Sequence, residues 1–214
     1  MTTVLSAAVP TPPANLAGLL LQGISMFAAV ALAFWGVEAL WTRVFFKGSA
    51  KPVFCGHEPM PVAAALKTAL VWMVPSTLVT LMLSYAVMML AKRMGWDLPR
   101  QELIQWLASA PGSTRALIVG YALLSAPVVE EILFRRFLYR ALLRNLRPLA
   151  AALASGVLFA AVHCNLVVFV PIWFLGTMLA LLYWRTGRLG APILMHMLFN
   201  FFNAAITLAY PEQA

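Results

Sequence analysis

Pro127-Val128-Val129-Glu130-Glu131-Ile132-Leu133-Phe134-Arg135 sets two adjacent carboxylates and, four residues after the second, a guanidinium into apolar sequence. The whole chain holds seven Asp and Glu in 214 residues, so two side by side here need a physical reason. An ionised carboxylate at the centre of a membrane helix costs roughly 2.5 kcal/mol or more, and such a residue marks a candidate functional site. Residues three or four apart share a helix face, so Glu131 can pair with Arg135. Glu130 points about 100° away from that pair and is left unneutralised. One carboxylate then supports the helix, and the other is free to act as a general base.

The surrounding composition says that this helix lies in a bilayer. The chain is 63% hydrophobic and 10% charged, with mean hydropathy +0.87. Soluble domains carry about 25% charged residues. At about 20 residues per spanning helix this length accommodates six or seven spans. The expected fold is an all-α polytopic bundle of six spans with one interfacial amphipathic helix. The spans fall at 16–41, 68–91, from about 115 through the paired glutamates, 148–163, 166–184 and 191–209. Residues 1–15, with Pro10, Pro12 and Pro13 and no Lys or Arg, read as a disordered tail rather than a signal peptide. Residues 16–214 read as one domain, with the chemistry in 126–203. Segment 97–114 reads as the interfacial helix. Arg136, Arg140, Arg144 and Arg147 recur at helical spacing, so the third helix is expected to leave the membrane with a basic face.

Charge then orients the bundle. The net charge of +8 is carried by connectors rather than by a nucleic-acid-binding face. Connectors 42–67, 135–147 and 185–188 hold eleven of the fifteen Lys and Arg. Six spans put all three on one side, the cytoplasm of a plasma (inner) membrane protein, with both termini outside. Segment 92–115 carries the other four and runs against this pattern. Cys55 and Cys164 are too few for a disulfide framework and have no metal-type spacing.

Two further polar clusters lie in apolar surroundings. Phe159 precedes His163 by one helical turn, and His196 precedes Asn200 by one turn, with Asn203 three further on. Each has a bland reading alone: a packing ion pair, or a hydrogen bond between helices. Together, Glu130, His163, His196 and Asn200 come from three helices and would each be costly facing lipid. They are economically placed around one interior cavity. Such a set suits hydrolysis. Glu130 takes a proton from water, His163 places that water, and His196 with Asn200 donates to an oxyanion, each such donor contributing about 2.7–4 kcal/mol.

These three motifs resemble the CPBP family, the CAAX proteases and bacteriocin-processing (Abi-type) enzymes. Its pattern is two glutamates, three residues and Arg, then Phe, three residues and His, then His, three residues and Asn or Asp. Glu130-Glu131 with Arg135, Phe159 with His163, and His196 with Asn200 meet it in order, over about 126–202. Arg136 departs from it, standing where many members have a small residue. The resemblance implies a glutamate-type intramembrane protease without a cofactor. In it Glu130 activates water, His163 assists, His196 and Asn200 form the oxyanion site, and Glu131, Arg135 and Phe159 support them. The implied partner is a membrane-associated protein or peptide: a CAAX-type tail, a bacteriocin leader or a C-terminal sorting segment. Other readings stay open at this point: a zinc protease using Glu130, His163 and His196, a non-catalytic immunity protein, or a proton-coupled carrier.

Overall fold

A computed structural model describes residues 58–96 and 111–209, with isolated positions at Gly18, Leu21 and Ser25. The expected first span, the N-terminal tail, nearly all of the interfacial helix and His57 lie outside the described residues. Within them the chain forms five helices: α1 (Val62–Arg93), α2 (Gly112–Leu142), α3 (Pro148–Ala161), α4 (Leu166–Thr186) and α5 (Gly190–Ala209). There is no strand among them.

Sequence signals explain most ends. Pro61 precedes α1, whose start lies six residues before the expected one because Ala63 to Leu66 are good helix formers. At its other end Gly95 takes φ +68, and the amides of Gly95 and Trp96 close on the carbonyls of Lys92 and Ala91 at 3.2 and 3.0 Å. This is a Schellman cap, which satisfies carbonyls that the helix leaves open. Pro148 opens α3, where a missing N–H costs nothing. The Asn165 side chain accepts the Val167 amide at 2.9 Å to open α4, and Gly187 at φ +65 ends it.

α1, α2 and α4 are long and apolar enough to cross a membrane. α3 has 14 residues, about 21 Å at 1.5 Å per residue, short of the roughly 30 Å hydrocarbon core. α5 has 20 residues, about 30 Å, and is apolar over Gly190–Ile206. Among the described residues, which hold five of the six expected spans, three helices have both the length and the apolarity of a span. The expected basic extension of α2 also stops early: the helix ends at Leu142, so Arg144 and Arg147 lie in the turn to α3.

α4 is the central helix, shared by two cores. Leu175, Leu179 and Leu182 pack with Ala65 and Ala69 of α1 and Ala191 and Met195 of α5. Ala180 and Tyr183, turned the other way, pack with Tyr139 of α2 and Ala151 and Ala152 of α3. Alanine recurs at these contacts because backbones in a bilayer gain from close approach rather than from excluding water. α3 and α4 approach closely at Gly156 and Gly176, where a Cβ built on Gly176 would stand 3.2 Å from the Gly156 Cα.

α2 is irregular at two places. Its turns widen to π-helical form over Tyr121–Ser125 and Ile132–Tyr139, on either side of the α-helical Ala126–Glu131 that carries both glutamates. Pro127 accounts for the first. In π geometry the Ala126 amide bonds the Tyr121 carbonyl, and the next amide would bond Ala122. Pro127 has no such hydrogen, so the Ala122 carbonyl is left for another partner.

Candidate active site

Glu131 and Arg135 form the sealed part of the site. Both side chains are 0% exposed, and Arg135 Nε lies 2.9 Å from Glu131 Oε2. The pairing expected from their spacing is present. The guanidinium also covers the face of Phe159, its carbon 4.7 Å from the ring centroid, a favourable cation–π placement when desolvated. Among the described residues its Nη1 and Nη2 have no hydrogen-bond acceptor. The other Glu131 oxygen, Oε1, accepts a hydrogen bond from His196 Nδ1 at 3.0 Å. That contact joins α2 to α5 and fixes the tautomer. With Nδ1 carrying its proton toward the carboxylate, Nε2 is the atom turned toward Glu130.

Glu130 differs from its neighbour in the way the helix geometry requires. Its side chain is 23% exposed, and its Oε2 lies 3.8 Å from His196 Nε2. The imidazoles of His196 and His163, the Glu131 carboxylate and Arg135 all act on its charge. It is thus a carboxyl with one open side and an imidazole close by.

His163 sits two residues past the end of α3, in a turn closed by its own amide on Ala160 and the Cys164 amide on Ala161. The helix was expected to include it. Instead Cys164 takes φ +49, which ends the turn. The imidazole is held by Nδ1–H donating to the Phe159 carbonyl at 2.7 Å, so Nε2 is left as an acceptor. Phe159 is the hub. Its ring centroid lies 5.0 Å from those of Phe134 and His163 and 5.8 Å from that of His196, each in an edge-to-face arrangement.

Asn200 is placed by the irregularity in α2. Its Nδ2 donates to the Ala122 carbonyl at 2.8 Å, the acceptor that Pro127 leaves open. One amide hydrogen is therefore committed to the backbone and one remains. Asn203 turns back onto its own helix, bonding the Phe199 carbonyl at 3.0 Å. It is not part of the cluster.

Glu130, Glu131, Arg135, Phe159, His163 and His196 thus converge from α2, the end of α3, and α5, with Asn200 anchoring α5 to α2 one turn away. Sequence reasoning did not find the Glu131–His196 bond, the Phe159 ring as hub, or the Ala122 carbonyl. Pro127 was the available signal for the last.

The class defined by this arrangement is a helical membrane protein with a carboxylate–imidazole site between three helices. Residues 112–202, α2 through most of α5, match the family model described as type II CAAX prenyl endopeptidase Rce1-like. The CAAX-protease resemblance seen in the three motifs therefore holds across that whole segment. The chain is 34% identical over 92 residues to YdiL of Bacillus subtilis (strain 168), which is named provisionally as a membrane peptidase. That match covers 43% of this chain and 38% of YdiL. It is 30% identical over 103 residues to the membrane-embedded CAAX protease MroQ of Staphylococcus aureus (strain USA300), covering 45% of this chain and 41% of MroQ. The chain thus spans about two fifths of the length of these curated relatives. No solved structure matches it.

Proposed function

We propose that the chain is an intramembrane endopeptidase that hydrolyses a peptide bond of a membrane-associated protein or peptide with water activated by Glu130. The observation that carries this is the division between the two glutamates. Glu131 is enclosed and held by Arg135 and His196, whereas Glu130 keeps an open side 3.8 Å from His196 Nε2. In this reading Glu130 takes a proton from water, and the hydroxide oxygen adds to the carbonyl carbon. His163 Nε2 accepts the other water hydrogen and aims the attack. The uncommitted Asn200 amide hydrogen donates to the oxyanion, and His196 donates beside it through Nε2–H only as the imidazolium, since its Nδ1–H is held by Glu131. Collapse of the tetrahedral species breaks the C–N bond, and the proton on Glu130 passes to the leaving amine. Glu131 and Arg135 hold His196 in place and touch no reacting atom.

Family likeness supports a substrate drawn from CAAX-type tails, bacteriocin leaders or C-terminal sorting segments. Arg144 and Arg147 lie in the turn between α2 and α3, Arg185 in the last turn of α4 and Arg188 in the turn to α5. This supports placing that end of the bundle at the cytoplasmic face of the plasma (inner) membrane.

The metal reading keeps one feature in its favour. His196 has one ring nitrogen on a carboxylate, as metal-bound histidines do. Against it, among the described residues no three His, Cys, Asp or Glu side chains are grouped to hold an ion. The test is cleavage of candidate membrane peptides by wild type and Glu130→Gln, with and without chelator. Cleavage that survives chelator and falls by about 10²–10⁴ in the variant, the usual contribution of a general base, is expected. Loss on chelation would replace this mechanism with a metal-dependent one. Retention of cleavage in Glu130→Gln would remove Glu130 from it.

A further inference from the structure

We propose that Gly176, on α4, is a positioning residue of this site. The missing side chain there sets where the Phe159 ring lies, and through the ring the placement of His163, His196 and Arg135. The inference rests on the hydrolytic reading and concerns how its groups are held.

The geometry is tight on every side of the ring. A methyl group at Gly176 would stand 2.9 Å from Phe159 Cδ1, 3.3 Å from Phe159 Cβ and 3.2 Å from Gly156 Cα. Carbon atoms rest about 3.5–4.0 Å apart, so the ring would have to shift by several tenths of an ångström to about 1 Å. It is enclosed, at 1% exposure. Away from Gly176 it meets Phe134 and His163 at 5.0 Å, His196 at 5.8 Å and the Arg135 guanidinium carbon at 4.7 Å. The shift is therefore passed to the two imidazoles. His163 receives it twice, through the ring contact and through its bond to the Phe159 carbonyl.

Gly156 supplies the contrast on the same helix crossing. A methyl there would meet Thr177 Oγ1 at 2.5 Å and the Trp173 carbonyl oxygen at 2.8 Å, with no Phe159 atom among its nearest neighbours. It strains the contact of α3 with α4 without touching the ring directly. Alanine is also the better helix former, so loss of helix is not the expected result at either position.

The experiment uses the full chain in lipid nanodiscs with ring-15N-labelled histidine. The three histidines are assigned by replacing each in turn. Gly176→Ala is expected to move the ring-nitrogen signals of His163 and His196. It is expected to lower kcat by about 100-fold, the scale of a 1 Å misplacement, with KM within about twofold. Phe159→Leu lowers the rate by itself. Placed in the Gly176→Ala background it is expected to restore the signals and part of the rate, because the smaller side chain makes room for the methyl. Unchanged histidine signals in Gly176→Ala would overturn the proposal. So would strictly additive effects of the two substitutions. The spectra do not depend on catalysis. A wild type that cuts no peptide counts against the hydrolytic reading, while the ring signals still decide the role of Gly176.

Discussion

Replacing Arg135 with Met should destabilise the bundle more than replacing Arg135 and Glu131 together. The pair is fully enclosed, at 0% exposure on both side chains with 2.9 Å between Nε and Oε2. Removing one member of a buried pair leaves an uncompensated charge and costs about 3–5 kcal/mol. Here the lower end is expected, about 3 kcal/mol, because His196 Nδ1 stays 3.0 Å from Glu131 and can carry positive charge in place of the guanidinium. The cation–π contact with Phe159 adds roughly 1–2 kcal/mol to the loss, since the site is desolvated. In the double variant Arg135→Met, Glu131→Gln no charge is stranded, and Met fills similar volume. Its cost should fall to within about 2 kcal/mol of wild type, as replacements of whole buried pairs do. Unfolding followed by tryptophan fluorescence in mixed micelles over a denaturing-detergent titration measures all three. The double variant should nevertheless be inactive, because the neutral amide introduced by Glu131→Gln no longer anchors His196 as a carboxylate does. A double variant as unstable as the sum of the single variants would refute the claim that these side chains act as a pair.

Asn200→Ala should strand the Ala122 carbonyl. An unsatisfied buried acceptor costs about 1–3 kcal/mol, and this half-buried one should fall at the lower end, which the same detergent titration would register. Adding Pro127→Ala would return an amide hydrogen to α2 and should recover part of that stability. Recovery in the double variant alone is the diagnostic outcome. Cys164→Gly should raise the melting temperature, because a non-glycine residue at φ +49 holds about 1–2 kcal/mol that glycine does not. A fall in melting temperature would mean that the Cys164 thiol, 3.6 Å from the Ala161 carbonyl, contributes more than the strain.

What was legible in the sequence follows from range. The Glu131–Arg135 pair is a local spacing on one helix, and it is present in the structure. The convergence of α2, α3 and α5 followed from the cost of exposing Glu130, His163, His196 and Asn200 to lipid, which holds whatever the detailed packing. The bond from His196 to Glu131 bridges 65 residues and depends on the rotation of two helices about their axes, for which no local pattern exists. The end of α3 was missed for a different reason. No Gly or Pro follows Ala161, and the stop comes from Cys164 adopting a backbone conformation that its side chain disfavours. The wide turns of α2 were partly readable from Pro127. Their consequence, an open carbonyl at Ala122 that Asn200 fills, needed the position of α5.

Those wide turns also separate two chemically identical neighbours. Glu130 and Glu131 differ by one step along the chain, about 100° of rotation. A π turn holds close to one residue more than an α turn, so each such turn changes the phase of everything beyond it by a similar angle. Converting the wide turns of Tyr121–Ser125 to ordinary α-helical ones, with no residue deleted, would restore a regular path there. It would also turn the following segment by about one residue relative to α5. The carboxyl presented to His196 Nδ1 would then be the wrong one of the pair. The phase of this helix, rather than any difference in side-chain chemistry, assigns one glutamate to the scaffold and leaves the other with one open side.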